Sequence, residues 1–147
     1  RHIFHLYTRE EQLQALREAV RVTKPGGHIL AAYCMNEHTV VQYVFRMNHL
    51  HEVMELKMLT PDWHCISEPK DLFQLMRTED IASLDAELPV ERRKLVATDG
   101  ATNFMRESID AMDDETFGKW VDYHFAVCER QDLIGASHHT LDILRKL

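Results

Sequence analysis

The sequence is poor in the features that mark several specialised classes of protein. Its 147 residues include only five glycines and four prolines, and they contain no internal repeat and no low-complexity segment. The net charge of −7 argues against a nucleic-acid partner, which would require a basic face. The uncharged apolar run at residues 29–35 is seven residues long, which is too short to span a bilayer. We therefore expect neither a nucleic-acid nor a membrane partner.

Cysteine is scarce as well. The chain has three cysteines, Cys34, Cys65 and Cys128, which are odd in number and widely spaced. This spacing argues against a disulfide framework and favours reduced thiols. We therefore expect a cytoplasmic protein.

The residues that are present indicate a single globular domain over residues 1–147. Hydrophobic residues make up 45% of the chain and charged residues 28%, and the length is sufficient for a real core. The chain begins at Arg1 without a methionine, so we expect it to be part of a longer protein.

The first strong local pattern is a helix followed by a buried strand. Thr8 and Glu11 have the spacing of a capping box, and apolar residues follow at helical intervals until Pro25 ends the helix. Gly26 and Gly27 then supply a reversal, because glycine adopts positive φ at little cost. Residues 29–35 show no polar alternation, which predicts a strand buried on both faces of a parallel sheet.

The rest of the chain alternates between helical and strand patterns. Residues 36–59 carry an apolar stripe at helical spacing, and a short apolar patch at 71–77 precedes a short helix. Strands are predicted at residues 93–98 and 138–144. Between them, a helix begins at Asp113 or Asp114, and its apolar face is expected to be buried, with His124 as a core histidine. This order of elements predicts an α/β fold.

Two stretches resemble a known family. They are "HLYTREEQLQALREAVRVTKPGGHILAAYC" and "VATDGATNFMRESIDAMDDETFGKWVDYHFAVCERQDLIGASHHTLDILRK". The first resembles the middle of class I S-adenosylmethionine-dependent methyltransferases, in which a helix ends in a "kPGG" turn before the central fifth strand. The second resembles the last two strands of a bacterial subgroup of that family. Together they cover just over half of the chain.

The resemblance implies the C-terminal half of a Rossmann-like methyltransferase sheet. In that family the sheet is mixed, and the last strand runs antiparallel between the fifth and sixth strands. Residues 36–70 would form a helical cap inserted in the domain. The family's glycine-rich turn, E/D-x-G-x-G-x-G, and its ribose-binding acid do not occur in this sequence, so both are expected upstream of Arg1.

The implied function is methyl transfer from S-adenosylmethionine to an unidentified small molecule, with the isolated chain expected to be inactive. Ligands of open α/β sheets bind beyond the carboxyl ends of the strands, which selects two segments. The cofactor-binding candidates follow the expected fourth strand: Phe4, His5 and Leu6. His5 is also the candidate catalytic residue. The candidates for the substrate pocket follow the fifth strand: Tyr33, Asn36, Tyr43 and Arg46.

Other interpretations of these residues stay open. His5 could be a strand-end histidine bonded to the backbone, and Tyr33 and Tyr43 could serve packing alone. The closest histidine pairs, His49-x-His51 and His138-His139, match no zinc pattern, and neighbours in a strand point to opposite faces. We therefore predict no metal site.

The alternative function is that of a non-catalytic binding or dimerisation module. A half sheet would leave an unpaired strand edge near residues 1–5 and uncovered apolar faces, which predicts a possible homodimer.

Overall fold

The structure is a computed structural model, and it describes residues 3–147. Four strands form one mixed sheet that curls into a half-barrel, with the spatial order β2-β1-β4-β3. The strands are β1 (His28–Met35), β2 (Leu75–Met76), β3 (Val90–Ala97) and β4 (His139–Lys146). The α/β class predicted from the sequence is confirmed.

The last strand lies where the resemblance predicts it. β4 runs antiparallel to both β1 and β3, and Asp142 of β4 faces Ala31 on one side and Leu95 on the other. β2 pairs in parallel with the end of β1. The predictions of a central strand at residues 29–34 and of an antiparallel last strand in contact with residues 93–98 are therefore confirmed.

Seven α-helices connect and flank these strands in the described part of the chain. They are α1 (Arg9–Val22), α2 (Asn36–Thr39), α3 (Leu50–Glu55), α4 (Thr78–Asp85), α5 (Arg106–Asp110), α6 (Asp114–Val127) and α7 (Gln131–Ile134). The capping box of α1 is formed, because Thr8 Oγ1 accepts from the backbone N–H of Glu11 and the Glu11 carboxylate accepts from that of Thr8. Gly26 adopts a φ of 76°, as the reversal before β1 requires.

The helical region after β1 is broken rather than continuous. α2 passes into a π-helix at Val40–Arg46, and α3 begins only after Asn48, which has a φ of 60°. A π-helical turn is rare and is found frequently at functional sites. A uniform apolar stripe cannot distinguish it from α-helix, so the sequence pattern predicted a single helix.

The core lies on one face of the sheet, beneath α1 and α4. Its strand residues alternate along β1 and β3, as expected for a sheet with one covered face. The strands contribute the following side chains to this core: Ala31, Tyr33, Met35, Met76, Leu95 and Ala97.

The prediction that β1 is buried on both faces is wrong for its first half. Ile29 and Ala31 are buried, whereas Leu30 between them is 63% exposed. Burial therefore alternates from Ile29 to Ala31, although all three residues are apolar. No described element covers the second face at Leu30, because the helices of the core lie on the other side.

Two further predictions are corrected. The segment Ile3–His5 is a turn of 3₁₀-helix rather than a strand, while residues 1–2 of the expected strand lie outside the described residues. α6 has no fully buried side chain, and Phe125 is 73% exposed. Its His124 is not in the core but lies against the turn at Gly100. An amphipathic pattern shows which face of a helix is apolar, but not whether another element packs on it.

No helix among residues 3–147 is both long enough and apolar enough to cross a membrane.

Candidate functional site

Three chain segments meet at the edge of the sheet where β1 and β3 end. Because β4 is antiparallel to both neighbours, its first residue lies beside their last ones: His139 faces Cys34, and Thr98 donates from its backbone N–H to the carbonyl of His139. Polar side chains from the three segments gather here. We call Asp99, His38, His138 and His139 the histidine cluster.

Asp99 is the anion of the histidine cluster. Its Oδ1 accepts hydrogen bonds from Ser137 Oγ at 2.6 Å and from the backbone N–H of His139 at 3.0 Å. Its Oδ2 accepts from Nδ1 of His139 at 2.9 Å. Burial by itself would raise the pKa of Asp99, but the hydrogen bonds from His139 and Ser137 outweigh it and lower that pKa. The carboxylate is therefore ionised at neutral pH.

The imidazole rings lie side by side. His38 stacks on His138 with the ring centroids 4.3 Å apart, and the rings of His138 and His139 are 3.9 Å apart. Burial, followed by the neighbouring His138, lowers the pKa of His38 to about 4. Burial and His139 likewise lower the pKa of His138. Near neutral pH, His38 is therefore neutral.

Asn103 determines which ring nitrogens carry protons. Its amide Nδ2 lies 3.2 Å from His38 Nε2 and 3.4 Å from His138 Nδ1. An amide nitrogen only donates, so both ring nitrogens accept and carry lone pairs. The proton of neutral His38 is then on Nδ1, which is buried and has no hydrogen-bond partner among residues 3–147.

The prediction that His138 and His139 point to opposite faces is wrong. β4 begins at His139, so His138 belongs to the preceding turn and is not bound by strand alternation. Ser137 supports this turn, since its Oγ also accepts from the backbone N–H of Gly100 at 3.0 Å. A shift of one residue in a strand boundary thus decided whether the two rings could act together.

A cavity of about 430 Å³ adjoins the histidine cluster. His38, Asn103 and His138 form its polar end. The remaining wall is mostly apolar and comes from the π-helix, from α3 and from the loop before β2; among its residues are Tyr43, Val44, Met47, Val53, Met58 and Phe73. A mainly apolar cavity of this size with a few convergent polar groups is typical of a small-molecule site.

The structure places the four candidates for the substrate pocket in different surroundings. Tyr43 lines the cavity and stacks on His49 at 4.1 Å. Arg46 is exposed and donates to the carbonyl of Phe104. Asn36 is buried and does not line the cavity. Its side-chain amide holds the loop at residues 63–65 through two hydrogen bonds to the backbone of that loop. Tyr33 is buried in the core beneath the sheet.

The cofactor-binding candidates flank the histidine cluster. The ring of Phe4 lies 6.4 Å from that of His139 and 5.2 Å from that of Phe73, which also lines the cavity. His5 lies 5.6 Å from Phe73. Leu6 is buried in the core, and its carbonyl accepts from Gln12. The structure therefore brings Phe4 and His5 to the site but turns the Leu6 side chain inward.

Sequence reasoning missed Asp99, His38 and Asn103. The signal for Asp99 was present, because it directly follows a strand predicted to run parallel to the central one. However, an Asp-Gly pair at the end of a strand is also the ordinary sequence of a turn, so it does not by itself indicate a site. His38 and Asn103 carried no local signal, since they meet only through the fold.

The sequence matches no protein-family model, and no curated protein is significantly similar to it. Function must therefore be inferred from the fold and from the site.

Proposed function

We propose that this chain is the C-terminal portion of an S-adenosylmethionine-dependent methyltransferase that acts on a small molecule. The observation that carries this proposal is the position of β4, antiparallel between β1 and β3. The resemblance implies this arrangement for the seventh strand, between the fifth and the sixth. Local sequence patterns do not otherwise favour an antiparallel strand at the centre of such a sheet.

The location of the cavity supports the same proposal. It opens at the edge where β1 and β3 end, which is the side where ligands of open α/β sheets bind. Methyl transfer from a sulfonium requires the acceptor to be aligned with the methyl group, and a mainly apolar wall serves that purpose. Tyr43 belongs to this wall, and His5 at its flank is the proposed base for the acceptor.

The described residues fit only one end of the cofactor. The resemblance implies that Phe4, His5 and Leu6 lie near its methionine part, and the Phe4 and His5 rings are at the site. The adenosine end would need a glycine-rich turn and an acidic residue. The one adjacent glycine pair, Gly26-Gly27, lies before β1 at the opposite end of that strand.

Two titrations test the proposal. Calorimetry at micromolar concentrations should show no binding of S-adenosylmethionine, because the contacts to the adenosine end are missing. In NMR spectra at millimolar S-adenosylhomocysteine, amide shifts should appear at residues 4–6 and at the end of β1. Adenosine is the matched control, and it should leave residues 4–6 unchanged because it lacks the methionine part.

Two results would contradict these expectations. Shifts that adenosine reproduces, or that avoid residues 4–6, would argue against a methyltransferase site here. Micromolar affinity for the cofactor would show that the described residues form a complete site, and the proposal that this chain is only a portion of the enzyme would fail.

A second candidate function is association with another chain. It is favoured by the open face of the sheet, where Leu30 in the central strand is 63% exposed and lies beside the partly buried Leu141 and Ile143. A homodimer that covers this face would bury apolar area. Light scattering at micromolar concentration should then give twice the mass of 17.2 kDa. In contrast, a monomer that is unchanged by Leu30→Lys would exclude this function.

We also propose a cytoplasmic location. Cys34, Cys65 and Cys128 are unpaired, and none is fully exposed. Burial raises the pKa of Cys34 to about 12 and that of Cys65 to about 11. Such thiols are unreactive, as expected for structural cysteines in a reducing compartment.

A further inference from the structure

Asp99, His138 and His139 converge at the edge of the sheet in a way that the hydrogen bonds between them do not fully explain. One oxygen of the carboxylate and one nitrogen of each imidazole lie within 4.8 Å of one another. We propose that these three residues bind a divalent first-row transition-metal ion such as Zn²⁺. The proposal concerns the metal alone and does not depend on methyl transfer.

The distances are suitable for such an ion. Asp99 Oδ2 lies 2.9 Å from His139 Nδ1 and 3.8 Å from His138 Nδ1. Zinc bonds to imidazole nitrogen and carboxylate oxygen are about 2.0–2.2 Å long, so ligand atoms in a tetrahedral site lie about 3.3–3.5 Å apart. These two separations lie on either side of this value, and all three ligand atoms lie within 4.8 Å of one another, so the side chains must rotate to close the site around an ion.

The ligand atoms have the electron pairs that coordination needs. His138 Nδ1 accepts from Asn103 and is therefore unprotonated, and on metal binding the ion replaces the amide as the partner of its one lone pair. His139 Nδ1 currently donates its proton to Asp99. On metal binding, that proton moves to Nε2 of the same ring, and bonds from the metal to Nδ1 and Oδ2 replace the hydrogen bond. No proton is gained or lost overall.

A set of outer hydrogen bonds already orients the carboxylate. Ser137 Oγ and the backbone N–H of His139 both donate to Oδ1 of Asp99, which leaves Oδ2 directed at the histidines. Metal sites depend on such outer partners, which fix the direction of the ligands. Ser137 is fully buried, so this support is part of the fold.

Three protein ligands beside a cavity leave one coordination position open, as in catalytic rather than structural zinc sites. His138 is both a ligand and part of the cavity wall.

Titration of the metal-free chain with Co²⁺ tests the proposal, because four-coordinate Co²⁺ absorbs visible light strongly. We expect one equivalent to bind, with displacement by Zn²⁺. Asp99→Asn and His138→Ala should abolish the visible band. Ser137→Ala should weaken binding by about 10–100-fold, as expected for loss of an outer partner.

The matched control is His51→Ala, which removes a histidine of the other closely spaced pair and is exposed. It should leave the band unchanged. The proposal is overturned if no saturable band appears, or if the band survives both Asp99→Asn and His138→Ala. Circular dichroism reports whether each variant folds. If Asp99→Asn unfolds, His138→Ala and Ser137→Ala decide the question, because they leave the carboxylate in place.

The outcomes for the two proposals are separable. A titration with Co²⁺ requires no cofactor, and the test with S-adenosylhomocysteine is performed without metal. Failure of the metal titration therefore leaves the methyltransferase proposal standing, and the reverse also holds.

Discussion

Replacing Asp85 with asparagine should stabilise the protein, and the gain should increase with pH. Asp85 and Asp142 share a single cation in the core. Arg92 binds Asp142 through Nε–Oδ1 and Nη2–Oδ2 contacts of 3.0 and 3.1 Å, and its Nη2 also lies 2.7 Å from Asp85 Oδ2. The contact between Arg92 and Asp85 is an ion pair whose angle does not suit a hydrogen bond. Both Asp85 oxygens therefore have no hydrogen-bond partner among the described residues. The hydroxyl of nearby Tyr33 is also buried and has no hydrogen-bond partner among these residues.

Two carboxylates beside one guanidinium cannot both ionise freely. Burial, followed by repulsion from Asp142, raises the pKa of Asp85 to about 7 from its usual value of 3.8, although Arg92 opposes the shift. Between these two pH values, the folded protein binds a proton at Asp85 that the unfolded chain has released. The free energy of unfolding therefore falls as pH rises through this window and levels off above about pH 7.

The size of the effect follows from the shift. Each pKa unit corresponds to about 1.4 kcal/mol. The free energy of unfolding of the wild type should therefore fall by about 3 kcal/mol between about pH 5 and a pH above 7, because of Asp85. Asparagine at this position carries no charge, so the variant should not show this loss. Urea unfolding at about pH 5 and about pH 8 measures the difference between the two proteins, and this difference should widen by about 3 kcal/mol.

The matched control for this experiment is Asp122→Asn, which alters an exposed carboxylate. Its stability curve should run parallel to that of the wild type. If the Asp85→Asn curve is parallel as well, the carboxylate pair does not hold a proton and the reasoning is refuted.

Two further predictions concern the ion pair between β3 and β4 and the turn that leads into β1. Arg92→Met leaves Asp142 buried without its cation, which should lower the free energy of unfolding in urea by about 3–5 kcal/mol; a loss below about 1 kcal/mol would show that Arg92 does not neutralise it. Gly27→Ala would place a methyl group 2.8 Å from Thr23 Cγ2 and 2.9 Å from the carbonyl oxygen of Lys24. Because the carbonyl is backbone and cannot rotate away, the variant should melt at a lower temperature, whereas Gly118→Ala, which meets nothing within 4 Å, should not.

The elements that the sequence predicted best depend on local interactions. The start of α1 follows from a capping box within four residues, and the reversal before β1 follows from adjacent glycines. The N-cap of α6 at Asp113 is equally local, since its side chain accepts from the backbone N–H of Thr116. The order of the strands is not local, and it was predicted only through the family resemblance.

The candidate site shows the opposite behaviour. Asp99 and His138 come from two turns and His38 from α2, and the antiparallel insertion of β4 brings these distant segments together. The sequence predicted no metal site because neither histidine pair matches a zinc pattern and because neighbours in a strand point to opposite faces. Only the sheet register reveals the grouping.

Amino-acid pattern by itself determined the start of α1, the reversal before β1 and the N-cap of α6, because caps and glycines act over a few residues. The tertiary structure decided which apolar faces are covered: Leu30 and the apolar side of α6 stay open although their patterns match those of buried elements. It also decided the polar groupings. A bulge at Arg93 places Arg92 on the core face beside Asp142, and a strand boundary at His139 frees His138 to join Asp99. These outcomes depend on contacts between distant segments, whose free energies no local pattern contains.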